Sequence, residues 1–498
     1  MPLRLAPFAD IPLTEPTLRS LLDAHTADAL PRLERYWRYY RNPITHNRDL
    51  GAASPRPHLA QEEGLPSRLT SPQPADDRDP GDREIVIEND IAWRLHTLVD
   101  FMLAKPITIR STAQDEQTRL DIQRILTAVL QSSGGIALLQ DAALLSSIYG
   151  CIDFLLRTTD LFAAPRHANP DNTPNAALDL ADKLRIEIVE PPRAVPVLSS
   201  ADFRTLDAYL IHFTKTVGPT AQTPASTVLA ALRARLGSSP AEESPSSILE
   251  IFSANHHQLY DHDALVLDEP NPLGVLPVVH IQNLSQPFHY AGLSDVEPLI
   301  PLQDELNTRL SDRAHRVTLQ SFKLYLAKGL EDDAPIRAIT PGQVWSTSNP
   351  DASIQSFGAD AAAPSEDNHI QQIREAMDKT SAVNPLAAGL IRARVGQLSS
   401  ENALRITLMG TLAKTARKQI AFGAGLSQLS ALVLRALDTA GVYRTDAKDR
   451  AVTIHWPDPI APNEQSKLKT AQLKINLGVP REQVLAELGY TPDTPNQS

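Results

Sequence analysis

An α+β chain is what this 498-residue sequence predicts, and three observations carry the prediction. Apolar residues recur at three- and four-residue spacing in the opening and closing parts of the chain, as in helices with one buried face. Short alternating runs fill the middle, typified by Leu184-Arg185-Ile186-Glu187-Ile188-Val189. Two amphipathic helical patterns, 302–320 and 366–380, flank a small β element at 322–358.

The elements follow in order. Thr14 to Tyr40 predicts a helix with Pro16 in its first turn. Its end, Leu30 to Pro43, is dense in arginine and aromatic rings. These suit docking of the helix onto the body, or stacking on a nucleobase. Residues 51–83, with their prolines and DDRDPGD end, predict an exposed linker. A helix carrying Ile91, Leu95, Leu98, Val99 and Met102 stops at Lys105-Pro106. Asp115 to Gln131 and Ile136 to Tyr149 are further helices. Gly150 closes the second, ahead of a strand at Cys151 to Arg157. Strands are expected at 184–189, 208–213 and 248–252, with inserted loops at 160–182 and 215–247 and a small helix near 228–236. Val275 to Ile281 is a short strand interrupted by Pro277.

Ser294 and Glu297 have the spacing of a capping box. Leu299, Leu302, Leu306, Leu310 and Val317 follow as one narrow stripe on a mostly polar helix, which suits packing against a neighbouring copy. Phe322 to Leu326, Gln343 to Trp345 and Ser353 to Phe357 are strand candidates beyond it. After the helix at 366–380 comes a loop, 382–397. The longest helical pattern, 399–439, is expected to kink at Gly423 and Gly425. A strand at 452–456 and helices at 463–477 and 481–488 close the chain. Helices leading out to a small β tip and back form a stalk, which can bury its stripe against copies of itself.

Composition narrows the classes. The length fits about three domains. With 42% hydrophobic and 21% charged residues the chain is ordinary for a globular protein, but 40 prolines imply many breaks. The single cysteine, Cys151, excludes an internal disulfide and a Cys-cluster metal site, and its setting suits a buried small hydrophobe. A formal net charge of −12 is the wrong sign for gripping nucleic acid and the right sign for not sticking to it. No run of 18 apolar residues exists, so no membrane span is expected. The opening MPLRLAPFADIPL lacks a secretory core, so a cytoplasm-like space of assembly is expected.

Catalytic signatures are weak. GxxxxGK[ST], HExxH and GxSxG are all missing from the sequence. The stretch from Asn255 to Asp263 holds His256, His257, His262, Asp261 and Asp263, and three histidines with two aspartates suggest a metal site. As a solvated hairpin tip, however, it would point His256 and His257 to opposite faces. No cofactor is expected. Lys414, Arg417 and Lys418 share one face of the long helix, either as a solvated face or as a sliding contact for a polyanion.

Several segments together resemble the portal proteins of tailed bacteriophages, of the siphophage type. They are Tyr39-Tyr40-Arg41-Asn42-Pro43, the 84–109 block ending in Ala104-Lys105-Pro106-Ile107-Thr108, and Leu273 to Asn283. With them go Gly292-Leu293-Ser294-Asp295-Val296-Glu297, Leu302 to Asn307 with Ser311-Asp312, Ser399 to Leu404, and Val452 to Pro459 with the last helices. The resemblance covers most of the chain. The 51–82 arm, the two insertions and the early Pro298 and Pro301 depart from it.

The resemblance implies a portal-type fold and a homo-oligomeric ring, usually a dodecamer, at one capsid vertex of the virion, assembled in the host cytoplasm. Carried over by position, 1–50 is an N-terminal arm of the wing and 84–293 the α+β wing. The stem comprises 294–320 and 364–381, and the clip is 321–363. The tunnel loop is 382–397, the long helix 398–440, and the wing strand and crown 441–498. Implied partners are capsid and scaffolding proteins, the terminase large subunit, a head–tail adaptor and double-stranded DNA, with no membrane. The chain is then no enzyme. Arg392, Arg394, Lys414, Arg417 and Lys418 are the DNA-channel candidates, and Ala387, Ala388 and Gly389 the mobile part of the loop. Lys323, Tyr325, Lys328, Glu331, Asp332, Asp333 and Trp345 are the docking candidates of the clip. The alternatives are a metal enzyme using His256, His257 and His262, or another capsid-associated structural protein.

Overall fold

The computed structural model describes residues 13–45, 58–70, 84–164, 172–215, 246–261, 264–321, 324–328, 351, 353–357, 363–383, 385–387, 401–460, 464–481 and 484–485. Its main helices are α1 (Glu15–Ala24), α2 (Leu30–Arg41), α3 (Asp90–Leu103), α4 (Glu116–Ser132) and α5 (Gly135–Tyr149). They continue with α6 (Ile300–Ser321), α7 (Pro364–Ser381), α8 (Glu401–Thr407), α9 (Met409–Thr439) and α10 (Glu464–Asn476). The strands are β1 (Ile44–Thr45), β2 (His58–Leu59), β3 (Thr108–Ser111), β4 (Cys151–Arg157), β5 (Arg185–Val189), β6 (Ala194–Leu198) and β7 (Leu206–Lys215). After them come β8 (Ser246–Phe252), β9 (His256–Asp261), β10 (Ala264–Pro270), β11 (Val278–Gln282), β12 (Leu324–Lys328), β13 (Ser353–Phe357) and β14 (Val452–His455).

The predicted α+β class holds. The chain divides into two compact units: Met1–Trp37, Trp93–Val296 and Ala382–Ser498 form one, Arg38–Ala92 and Glu297–Ser381 the other. In the first unit β10-β9-β8-β7-β6 is a five-stranded antiparallel sheet, β11-β4-β5 a three-stranded one, and β14-β3 a pair. The core lies between α9, α4, α5 and the three-stranded sheet. Phe422, Leu426, Leu429, Val433 and Leu437 of α9 meet Ile152, Phe154 and Ile281 of that sheet and Ile122, Ile125 and Leu126 of α4. By composition α9 is long and apolar enough to cross a bilayer, and here it serves as the core helix of this unit.

Local sequence explains the helix ends. Thr14 and Asp115 cap α1 and α4 by accepting the N–H of Thr17 and Thr118. Gly150 ends α5 at φ +94°, and a Cβ there would lie 2.4 Å from the carbonyl oxygen of Gly292. Both the left-handed backbone and the close crossing demand glycine. Gly150→Ala is therefore expected to cost about 2 kcal/mol or more, read as a lower midpoint in chemical unfolding.

Several expectations need correction. Residues 58–70, inside the predicted linker, form β2, a 3-10 turn and a helical turn, with Gln61 and Glu62 buried. Gln61 is held by donating to the carbonyl of Tyr39 at 2.7 Å and to Asn89 at 3.0 Å. The rest of that arm, 51–57 and 71–83, lies outside the described residues. Ser294 lies three residues ahead of the 3-10 turn that leads into α6. Its hydroxyl donates to the carbonyl of Ile148 and accepts the N–H of Val296, and α6 begins at Ile300 after a 3-10 turn at Glu297–Leu299.

The long helix breaks at Leu408 and runs unbroken through Gly423 and Gly425. Gly425 allows close approach, since a Cβ on it would sit 2.3 Å from the Ile281 side chain. Most of the histidine stretch is strand β9, which pairs antiparallel with β10, and residues 262–263 between them lie outside the described residues. His257 is buried there, with its two ring nitrogens on Glu250 at 2.7 Å and Glu269 at 3.0 Å. Strands β6 and β10 were not anticipated; Pro196 and Pro270 mask their patterns. The helix near 228–236, the strand at 343–345 and most of 481–488 lie outside the described residues.

The His257 cluster yields a pH prediction. Burial alone would lower the His257 pKa, but the two facing carboxylates outweigh it and raise it above 6.5. Burial likewise works against the Glu250 carboxylate, yet His257 and Arg157 hold it down at about 2. A raised histidine stabilises the fold below its unfolded pKa and loses that contribution as pH rises through the folded value. A depressed glutamate stabilises above its unfolded pKa and loses this as pH falls towards 2. Stability from this cluster is thus greatest between about pH 4.5 and 6.5. Unfolding midpoints measured from pH 6 to 9 should fall with pH, and His257→Gln should flatten that slope.

Candidate functional site

In the second unit, α6 and α7 are joined through β12 and β13, which pair antiparallel from Leu324↔Phe357 to Lys328↔Ser353. The two helices run antiparallel, as their ion pairs require. Glu305 meets His369 at 3.3 Å, Arg313 meets Asp367 at 3.1 Å, and Arg316 pairs with Glu366. Leu299, Leu306, Ile370, Ile373 and Met377 are buried among them. Leu302 and Leu310 of the predicted stripe are half-buried and Val317 is exposed.

The same helix carries a polar ladder on a second face. Gln303, Asn307 and Ser311, four residues apart, are fully buried. The Asp90 N–H donates to Gln303 Oε1 at 3.1 Å, the Glu88 N–H to Asn307 Oδ1 at 3.1 Å, and the Val86 N–H to Ser311 Oγ at 3.0 Å. Gln303 Nε2 donates back to the Glu88 carbonyl at 2.5 Å, and Ser311 Oγ to that of Val86 at 3.3 Å. Four helical residues rise about 6 Å and two extended residues about 6.6 Å, so alternate residues of an extended segment stay in register with every fourth residue of the helix. Side chains thereby do for 86–90 what a neighbouring strand would do. Arg374 to Glu88 at 2.6 Å and Arg68 to Asp312 at 2.5 Å add charged ties.

In the first unit, the chain leaving α7 is anchored at its first two residues. The Thr411 hydroxyl donates to the Ala382 carbonyl at 2.7 Å, and the buried Arg94 guanidinium donates to the Val383 carbonyl at 2.8 Å. Ala382 itself sits at φ +57°, a left-handed conformation unusual for alanine.

A buried charge node lies deeper on the same helix. Asp295 Oδ1 meets Lys414 Nζ at 2.7 Å, and Oδ2 meets Lys418 Nζ at 2.5 Å. Asn283 donates to Oδ2 at 2.9 Å, Lys418 donates to Ser147 Oγ at 2.7 Å, and the Asp295 N–H donates to the Ser147 carbonyl at 2.8 Å. Burial opposes ionisation of Asp295, but the two ammonium groups outweigh it and hold the carboxyl well below the usual range. Burial and the charge of Lys414 lower the Lys418 pKa against the pull of Asp295. One carboxylate, two lysines, an amide and a hydroxyl thus lock α9 to the end of α5 and to the segment just before α6.

This node corrects the expected role of two residues. Lys414 and Lys418 share a face, as their spacing says, but that face turns into the protein, where both are consumed by Asp295. Arg417, between them in sequence, is exposed. Arg392, Arg394, Ala388 and Gly389 lie outside the described residues, and Ala387 falls in a turn. Tyr325 and Lys328 lie on β12, while Lys323, Glu331, Asp332, Asp333 and Trp345 are outside the described residues. Of the metal candidates, His257 is engaged by glutamates and His262 is outside the described residues. Among those residues no group of three or more His, Cys, Asp or Glu is arranged to hold a metal. The ladder and the node escaped sequence analysis, although Gln303, Asn307 and Ser311 at four-residue spacing were a signal in plain view.

Among the described residues, the ladder and the node hold elements of the chain to one another. The chain belongs to the phage portal protein family, SPP1 Gp6-like, whose model matches residues 20–497. It is a virion protein of a family that works as an oligomeric ring. Comparison with curated proteins finds no match. Among solved structures, the chain is similar to one from the virion of a native gene transfer agent particle, at 10% identity and a TM-score of 0.40, over 81% of this chain and 90% of that one.

Proposed function

We propose that twelve copies of this chain form the ring at one capsid vertex through which double-stranded DNA is packaged and later ejected. The single observation that supports this best is the pair α6 and α7 leading into and out of the antiparallel strands β12 and β13, in a chain matched to the family along almost its whole length. In this proposal α6 and α7 are the stem, the hairpin at 321–363 is the clip that meets terminase and then the head–tail adaptor, and 382–397 faces the duplex. The first unit supplies wing and crown. The chain performs no chemistry itself, and the motor ATPase is a separate protein.

Electrostatics fits a conduit. A formal charge of −12 per copy disfavours a DNA-gripping wall, and a few cations at the constriction suffice for brief phosphate contacts. Arg417, Arg392 and Arg394 are those cations, now that Lys414 and Lys418 are accounted for. Such contacts are salt-sensitive and indifferent to sequence. The anchoring of Ala382 and Val383 fixes where the chain leaves α7.

Mass photometry and electron microscopy of the purified chain should show rings with a central hole and no ATPase activity. Only monomers and dimers across a range of salt would sink the proposal. Replacing 324–357 by a short turn should leave the rings intact and abolish terminase docking. Rings that still dock the motor would remove the hairpin from its proposed role.

A further inference from the structure

The first half of the long helix is inside-out. Its inward face carries Thr411, Lys414, Thr415 and Lys418, all buried. Its outward face carries Met409, Ala413, Ala416 and Ile420, and Ile406 on α8 precedes them across the break at Leu408; all are exposed, with Ile406 at 71%, Met409 at 65% and Ile420 at 73%. A helix of a protein that functions alone has the opposite arrangement, apolar inside and charged outside. The second half of α9 follows that ordinary rule, burying Phe422, Leu426, Leu429, Val433 and Leu437. The inversion is therefore local, and it is not needed to fill this unit's own core.

The outward residues succeed one another at spacings of three, four, three and four. Along α9, from Met409 to Ile420, that is the seam of a helix packed on a helix, narrow and about 16 Å long. Bulky Ile and Met stand at its ends and alanines in its middle, so a second element can approach the backbone closely at the centre and be gripped on either side.

We infer that the stripe Ile406-Met409-Ala413-Ala416-Ile420 is a subunit–subunit seam, covered in the assembly by a second copy of this chain. Two observations identify the occupant. The family to which the chain belongs works as a ring, and in a ring one patch of each copy meets a different patch of the next. The stripe also has the width of a single packed element. It is too short to be a whole interface of about 800 Å² per partner, and so it forms the apolar centre of a larger one. This inference rests on the ring reading above and moves its most sensitive seam from the exposed edge of α6 to the start of α9.

The test uses the full chain. Ile420→Asp and Ala416→Asp place a carboxylate in the seam while leaving the inward face untouched, and Val317→Asp does the same to the exposed end of the α6 stripe. Native mass measurement is expected to find rings for the unaltered chain and for Val317→Asp. The two seam variants should stay at the monomer mass, with unchanged circular dichroism and unfolding midpoint. A photo-crosslinking residue at 413 gives a second readout on an otherwise unaltered surface, and the crosslinked peptides should join two chains.

Seam variants that still form rings, or crosslinks confined to one chain's own segments or to added lipid, would overturn the inference. An unaltered chain that never forms rings would instead overturn the ring proposal itself. A variant too unstable to measure leaves the crosslink to decide.

Discussion

Asp295→Ala should destabilise the first unit by about 3–5 kcal/mol, because it strands two lysines in the interior with their shared counter-charge removed. Lys414 and Lys418 are 6% and 2% exposed, so water cannot take over from the carboxylate. The protein's remaining recourse is to deprotonate a lysine, which itself costs free energy at neutral pH. Chemical unfolding monitored by circular dichroism reads the loss. The triple change Asp295→Leu, Lys414→Met, Lys418→Met removes the charges together and should recover much of the stability, since well-packed apolar groups commonly replace a buried ionic cluster at little cost. If Asp295→Ala unfolds at the same denaturant concentration as the unaltered chain, the node is not what holds α9 to 292–296. The pH dependence has a definite sign. Asp295 has a depressed pKa, so its contribution is present above the ordinary aspartate value of 3.8 and fades as pH falls through the folded one.

Asn307→Leu should cost a similar amount in the second unit, about 3–5 kcal/mol, through the loss of three buried hydrogen bonds. The side chain accepts from the Glu88 N–H and from Gln303 Nε2, and donates to Gln61 Oε1 at 3.1 Å. Leucine fills the volume and leaves the Glu88 N–H and Gln61 Oε1 without these bonds, while Gln303 Nε2 keeps only its bond to the Glu88 carbonyl. Hydrogen exchange makes the prediction specific. The amides of Val86, Glu88 and Asp90 belong to no sheet, yet they should exchange slowly in the unaltered protein because Ser311, Asn307 and Gln303 bind them. Asn307→Leu should expose Glu88 first and most. Fast exchange of all three amides in the unaltered protein would show that the ladder does not form in solution.

The expected stem seam at Leu299 to Val317 illustrates how far pattern reaches. Periodicity found the stripe, and the structure spends half of it inside one chain, where Leu299 and Leu306 are fully buried. The helix seen as polar over most of its girth is polar for two reasons. Some side chains face solvent, and Gln303, Asn307 and Ser311 serve an extended segment more than two hundred residues earlier in the chain. A single sequence does not separate the two, because glutamine on a wet face and glutamine in a buried ladder have the same spacing.

Local chemistry was legible. Thr14 and Asp115 announced helix starts, Gly150 a helix end, and alternation at 184–189 a strand, because each of these depends on a few adjacent residues and the backbone they permit. The order of helix, β element and helix, and the portal resemblance that it supported, came from the sequence alone for the same reason. The tertiary structure alone decided which way a face points. Lys414 and Lys418 must lie on one side of a helix at that spacing, but only the arrival of Asp295, Asn283 and Ser147 from distant segments makes that side the inside. Helical periodicity determines which residues travel together; burial is settled by long-range packing, and at the start of α9 that packing turned the charges in and the apolar stripe out.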